Sequence, residues 1–196
     1  GTSVVGVSET GSGKTLAYAL PILHMLKTLE NNGDAVTEEK KPRAAVIVPT
    51  RELGEQVSKV FKPFTHTTRL RVRTVLGGTA LDVAKRNVNG VFEVLVATPG
   101  RLVQLIEREL VDMTDVRILI FDEADQMLDP SFLSEAIRIE EDCPTNCQMG
   151  LFSATISPVV QTLIDKLFMG AQVVRSSGSQ KLVPTLKTIN KTVIDG

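Results

Sequence analysis

Two short stretches of this chain carry side chains whose types and spacing could do chemistry. The first is Ser8-Glu9-Thr10-Gly11-Ser12-Gly13-Lys14-Thr15, between a short apolar run and a long helical pattern. Glycines at such a point let the backbone curl so that successive N–H groups face one anion, and the start of the helix adds a partial positive charge. Thr10, Gly11, Ser12, Gly13, Lys14 and Thr15 are therefore the candidate phosphate-binding residues. Lys14 is placed to reach the β- and γ-phosphates of a nucleotide, and the Thr15 hydroxyl to ligate Mg²⁺. The usual spacing is G-x-x-x-x-G-K-[ST], and here Ser8 stands at its first position. The competing reading is a Gly/Ser-rich turn that only caps a helix.

The second stretch is Asp122-Glu123-Ala124-Asp125, directly after the apolar run Ile118–Phe121. A carboxylate at the tip of a buried strand sits at the rim where open α/β sheets bind ligands. Adjacent carboxylates point in different directions and can divide the work. Asp122 is expected to face Mg²⁺ and Glu123 the attacking water, so Lys14, Asp122 and Glu123 form the candidate catalytic set. An acidic helix start, favoured by the helix dipole, is the alternative.

Both stretches need a scaffold that brings them together. Apolar runs without alternation recur at Val4–Val7, Ala44–Val48, Val72–Leu76, Val94–Ala97, Ile118–Phe121, Met149–Phe152 and Gln172–Val174. Runs of this kind suit strands buried on both faces. Helical patterns fall between them, over Gly13–Glu30, Arg51–Phe64, Ala80–Asn87, Pro99–Glu109, Pro130–Glu140 and Pro158–Leu167. Pro21 is expected to kink the first of these. Strands alternating with helices predict an α/β fold, a mostly parallel sheet of about seven strands with helices on both faces.

Composition sets outer bounds. The chain has 196 residues, 42% hydrophobic and 23% charged, which fits one ordinary domain, or two at most. No apolar run approaches the ~20 residues that span a bilayer, and no signal-peptide pattern is visible, so no membrane partner is expected. Cys143 and Cys147 are too few for a disulfide framework and lack a second pair for zinc. Reduced thiols in an intracellular protein of unspecified compartment are the expectation. His24 and His66 show no ligand spacing. The net charge of −1 gives no global pull toward nucleic acid. A local cluster of Lys62, Arg69, Arg71, Arg73, Lys85 and Arg86 against Asp82 does stand out as a candidate RNA contact, although a solvated face explains such a cluster more often than RNA does. Asn31–Pro42 reads as an exposed loop and 176–180, SSGSQ, as a flexible exit from the domain.

Taken in order, the motifs resemble those of the first RecA-like domain of a DEAD-box RNA helicase. The loop resembles the family's A-x-T-G-S-G-K-T with Ser8 for alanine. It is followed by Pro49-Thr50-Arg51-Glu52-Leu53 with Gln56, the pair Gly77-Gly78, Thr98-Pro99-Gly100-Arg101, the tetrad Asp122–Asp125, and Ser153-Ala154-Thr155. The likeness covers residues 4–175. It implies a RecA-like P-loop domain over 1–175, truncated at its N-terminus, and a linker over 176–196 toward a second RecA-like domain. It also implies ATP with Mg²⁺ as cofactors, and RNA unwinding or remodelling coupled to hydrolysis. The alternatives are an RNA clamp or scaffold that uses ATP without unwinding, or a different P-loop enzyme.

RNA is the implied partner, gripped by its backbone through Pro49, Thr50, Arg51, Gly77, Gly78, Thr98, Pro99, Gly100 and Arg101. The residues agree with this, because several of these segments lie past a buried strand and offer N–H groups to phosphate. Thr50 and Thr98 are expected N-caps, and Pro99 suits a first helical turn. Asp125, Ser153 and Thr155 are expected, from the resemblance, to couple nucleotide state to RNA. The bland reading of the last two is capping of the helix at Pro158, which Ser157 could supply. The family's adenine-reading segment, which precedes the first strand, is not among these residues, and Ser131 stands where the family usually has glycine. Because the family's arginine finger comes from the second domain, the isolated domain is expected to be nearly inactive.

Overall fold

A computed structural model describes residues 2–9, 11–33, 37–127 and 131–175. Thr10 and the expected linker over 176–196 lie outside the described residues. Among the described residues seven strands are formed: β1 (Val4–Val7), β2 (Ala44–Ile47), β3 (Val72–Val75), β4 (Val94–Ala97), β5 (Ile118–Phe121), β6 (Gln148–Ser153) and β7 (Gln172–Arg175). All neighbours pair in parallel, in the order β3-β4-β2-β5-β6-β1-β7. The sheet is thus wholly parallel, and β2, β4 and β5 are buried at every residue. That burial explains their unbroken Val/Ile/Leu/Ala sequences, because neither face can carry a polar side chain.

The helices are α1 (Lys14–Asn31), α2 (Arg51–Thr68), α3 (Leu81–Asn87), α4 (Pro99–Ile106), α5 (Phe132–Glu141) and α6 (Pro158–Leu167). The chain moves from β1 to β2 to β3 in one direction across the sheet, then returns through β4, β5 and β6 to β7. Right-handed crossovers require the helices to change face when the direction reverses. The two core layers agree. One packs α1 and α2 residues such as Ile22, Leu26, Val57 and Phe61 on the sheet; the other packs Ala84, Leu102, Leu105, Ile139 and Leu163 from α3 to α6.

Neighbouring strands therefore send their outgoing helices to opposite faces at two places, between β1 and β6 and on both sides of β2, where it pairs with β4 and with β5. Such switch points open a crevice at the carboxyl edge of the sheet. The segments singled out for chemistry leave the sheet at those two places and at the tip of β5 between them.

α1 runs unbroken through Pro21, and α2 through Pro63. Packing of Tyr18, Ala19, Ile22, Leu23 and Leu26 on the sheet holds α1 together where local propensity alone would interrupt it. α2 reaches four residues beyond its expected end at Phe64, and Arg69 closes it in a left-handed conformation at φ 57°.

Candidate nucleotide site and phosphate groove

The loop after β1 turns on Gly11 and Gly13, at φ 84° and 90°, the left-handed region that glycine enters without steric cost. Gly13 caps α1 with backbone alone, and among the described residues no side chain accepts from the helix's first N–H groups. Those donors remain for an anion. Lys14 is almost fully buried, and its Nζ lies 2.8 Å from the Ser8 carbonyl and 3.2 Å from Glu123 Oε1. The Ser8 and Ser12 hydroxyls are hydrogen-bonded to each other, which fits a small polar side chain at the loop's first position.

The tip of β5 meets this loop across β6. Asp122 is 1% exposed, its Oδ1 accepting from the Glu123 N–H at 2.9 Å and its Oδ2 from the Tyr18 hydroxyl at 2.7 Å. Burial raises its pKa, reinforced by the Glu123 charge and opposed by the Tyr18 hydrogen bond and Lys14. A neighbouring cation would relieve that penalty. Burial, then the Asp122 charge, pushes the Tyr18 phenol well above its ordinary range, so it stays a donor. Glu123 sits in the left-handed region at φ 51°, an uncommon and costly conformation for a side chain of this kind. Its Oε1 faces Lys14, while its Oε2 is buried with no partner among the described residues. An orphaned carboxylate oxygen in a buried site calls for a donor that arrives with a ligand.

The fit to a metal–nucleotide pair is direct. Among the described residues no three His, Cys, Asp or Glu side chains cluster to hold a metal on their own. Mg²⁺ usually takes one or two carboxylates and completes its shell with water and substrate phosphates. Asp122, with the Thr15 hydroxyl close enough to bond Tyr18, supplies that minimal set.

Asp125 follows on the same short turn, Ala124–Gln126. Its Oδ2 accepts from the Thr155 N–H at 3.0 Å and the Thr155 hydroxyl at 2.9 Å, and the Ser153 hydroxyl donates to the Thr155 carbonyl at 2.6 Å. Partial burial raises its pKa, but the Thr155 and Ser153 hydrogen bonds outweigh this and hold it below the usual carboxylate value. Ser157, not Ser153 or Thr155, caps α6 by accepting from the Val160 N–H. Ser153 and Thr155 therefore have no capping role at α6.

The second crevice is a cavity of about 350 Å³. Pro49, Gly77, Thr98, Pro99, Gly100 and Arg101 line it; Thr50, Arg51 and Gly78 do not. Thr50 caps α2 as expected, accepting from the Leu53 N–H. Thr98 stands at the N-cap position of α4 as expected, but its side chain makes no cap hydrogen bond. Its hydroxyl instead accepts from the Gly77 N–H at 2.8 Å, tying two strand tips together and leaving the N-terminus of α4 open to the cavity. Arg101 donates to the Thr79 carbonyl at 2.5 Å, whereas Arg51 pairs with Glu55 on the surface of α2. Ser131 adopts a right-handed helical conformation, so this position has no need of glycine.

Tyr18 and Glu135 escaped the sequence reading. Tyr18 sits one turn after Lys14, on the buried stripe of α1, where a tyrosine reads as core. Glu135 lines the second cavity and presses on Gly100, where a Cβ would come within 2.9 Å of its Oε1.

Comparison with known proteins agrees with this geometry. Residues 1–163 match the family model described as DEAD/DEAH box helicase. Over 92% of its length the chain is 38% identical to DEAD-box ATP-dependent RNA helicase 39 of Arabidopsis thaliana, covering 30% of that protein. It is 36% identical, over 85% of its length, to the ATP-dependent RNA helicase DeaD of Mycobacterium tuberculosis, covering 28% of it. The chain thus spans about a third of the length of these curated relatives. Among solved structures, a hypothetical ATP-dependent RNA helicase from Sulfolobus tokodaii matches 89% of the chain, and the chain covers 48% of that protein, with TM-score 0.74 and 31% identity. A DEAD box protein from Methanococcus jannaschii matches 89%, with 45% of that chain covered, TM-score 0.75 and 27% identity. The fold is accordingly RecA-like. The extent of the family match, the parallel sheet and the ordered motifs make this chain a member of the DEAD/DEAH box helicase family.

Proposed function

We propose that this chain is the ATP-binding half of the core of an ATP-dependent RNA helicase, with residues 1–175 its RecA-like domain. The convergence of Lys14, Asp122, Tyr18 and Glu123 on one crevice carries the reading, with Glu123 Oε2 left unpartnered beside Lys14. Thr10, Gly11, Ser12, Gly13, Lys14 and Thr15 cradle the phosphates of ATP. Mg²⁺, held by Asp122 and Thr15 when bound, supplies charge neutralisation at the phosphate oxygens.

Lys14 exchanges the Ser8 carbonyl for a phosphate oxygen, and Tyr18 keeps the Asp122 carboxylate in one orientation. Glu123 accepts a hydrogen bond from the attacking water and aligns it with the γ-phosphate. Phosphoryl transfer depends mostly on such positioning and on charge stabilisation. Pro49, Thr50, Arg51, Gly77, Gly78 and Thr98 to Arg101 hold the RNA backbone at the second crevice, without reading base sequence. Asp125, Ser153 and Thr155 link the two crevices.

A second RecA-like domain completes the site, and the arginine it would bring is typically worth ~10³–10⁵ in rate. Residues 1–196 alone therefore bind nucleotide weakly and turn it over slowly. Glu123→Gln tests the assignment in a protein that carries both domains. RNA-stimulated ATPase should fall by two orders of magnitude or more while nucleotide binding persists. Undiminished hydrolysis would remove Glu123 from its role.

A further inference from the structure

The basic cluster noted in the sequence is not used by either crevice, and the fold gives it a definite place. A cavity of about 590 Å³ at the amino end of β3 is lined by Lys62, His66, Arg69, Arg71 and Arg73, with the hydroxyl of Thr65 beside them. Arg71 is spoken for: its guanidinium forms a two-point pair with Glu93, at 2.6 and 3.2 Å. Lys62, Arg69 and Arg73 are exposed, and among the described residues none of them is in an ion pair. Arg69 closes α2 in the left-handed conformation, a position that glycine fills at lower steric cost. An arginine there gives up that saving and sets a third free cation on the cavity wall.

Position along the sheet suggests what these cations meet. β3 is the outermost strand of the sheet, and among the described residues nothing pairs with its far edge. Its carboxyl end runs into Gly77, in the wall of the second crevice. Its amino end opens on the basic cavity, six residues or roughly 20 Å away along an extended strand. Arg73 lies between the two on the strand itself, and α3 carries Lys85 and Arg86, exposed, along the same margin. Exposed cations, Arg73 on β3 and Lys85 and Arg86 on α3, thus accompany this margin of the sheet between the crevice assigned to RNA and the basic cavity, with Asp82 the one exposed acid of the cluster.

We infer that an RNA strand leaving the second crevice continues over the free edge of β3, and that its phosphates bind in the cavity formed by Lys62, Arg69 and Arg73. This rests on the RNA reading above and extends it to the opposite end of the sheet. Binding there is electrostatic and blind to base sequence, and only RNA longer than the crevice can reach it.

The test compares labelled oligouridylates of about six and about twenty nucleotides on this chain, by anisotropy across a salt series. Each phosphate contact on a single strand contributes about 0.7 to the slope of log affinity against log salt. Lys62→Gln/Arg69→Gly/Arg73→Gln should make the slope for the long oligomer shallower by about 2 and leave the short one unchanged. Lys62→Gln/Arg73→Gln, which keeps the α2 cap intact, should remove about 1.4 of it. An unchanged slope for the long RNA in both variants overturns the inference. So does polyglutamate that competes for the cavity as well as RNA of equal length, which would assign it to an acidic protein. If the short oligomer fails to bind while the long one binds and loses slope, the crevice reading falls and the basic cavity stands. If neither binds, both fall.

Discussion

Tyr18 and Asp125 show how single hydrogen bonds set the chemistry of this edge. The Tyr18 hydroxyl is the only described side-chain donor to Asp122 Oδ2, in a site from which water is nearly excluded. Tyr18→Phe keeps the ring against Phe152, 5.2 Å away between centroids, and leaves a buried carboxylate oxygen without its donor. The expected cost is ~1.5–3 kcal/mol of folding stability, the range for a hydrogen bond to a charged group, read by urea denaturation of the ligand-free chain. A variant as stable as the parent would show that Asp122 does not depend on this contact. Asp125 makes a prediction in pH. Its pKa is depressed in the fold, so its bonds to Thr155 stabilise fully above the unfolded value near 3.8 and are lost as pH falls through the lower folded value. The difference in melting temperature between the parent and Asp125→Asn should therefore be constant at neutral pH and shrink below about pH 4. A difference that persists undiminished in stronger acid would contradict the assignment. The Tyr18 bond was not legible in the sequence, because Tyr18 reads as a core residue, whereas the link of Asp125 to Ser153 and Thr155 was expected from the family resemblance and not from the residue pattern, in which both read equally as capping candidates.

At the scale of elements, strand positions were the most legible feature, because a strand buried on both faces leaves an apolar run that no other element explains as well. β2 and β3 lost only their last expected residue, Val48 and Leu76. Helix α2 was less legible. Its extension to Thr68 past Pro63 depends on packing of Phe61 and Phe64 against the sheet. Gly54 gave no signal at all, yet a Cβ there would lie 2.4 Å from Leu76 Cδ2, in the buried seam between α2 and the residue before Gly77. Alanine is a better helix former than glycine by ~1 kcal/mol, and overpacking a core costs ~1–3 kcal/mol. Gly54→Ala should consequently destabilise the chain despite its better propensity, and should disturb the Gly77–Thr98 contact, visible as a shift of the Gly77 amide in a heteronuclear NMR spectrum. A net gain in stability would mean that Leu76 can move aside freely.

Across the whole molecule, the segment Asp122–Met127 touches everything that matters. Asp122 and Glu123 face the loop of Lys14, Asp125 holds Thr155, and Gln126 and Met127 line the second crevice. The two proposed binding sites therefore share one short turn. If that turn has two arrangements, each ligand biases it by its own differential affinity, and linkage makes the effect reciprocal. In a protein carrying both RecA-like domains, RNA should tighten a non-hydrolysable ATP analogue by the same factor by which the analogue tightens RNA. Removing the Thr155 hydroxyl weakens the bridge to Asp125 while leaving the contacts of Lys14, Asp122 and Glu123 in place. Thr155→Ala should then drive both factors toward one together, with each ligand's affinity in the absence of the other changed less than twofold. Titrations of each ligand at zero and saturating levels of the other give all four constants. Loss of RNA affinity alone, with the nucleotide's response to RNA retained, would place Thr155 in the groove itself and not in the link between the sites.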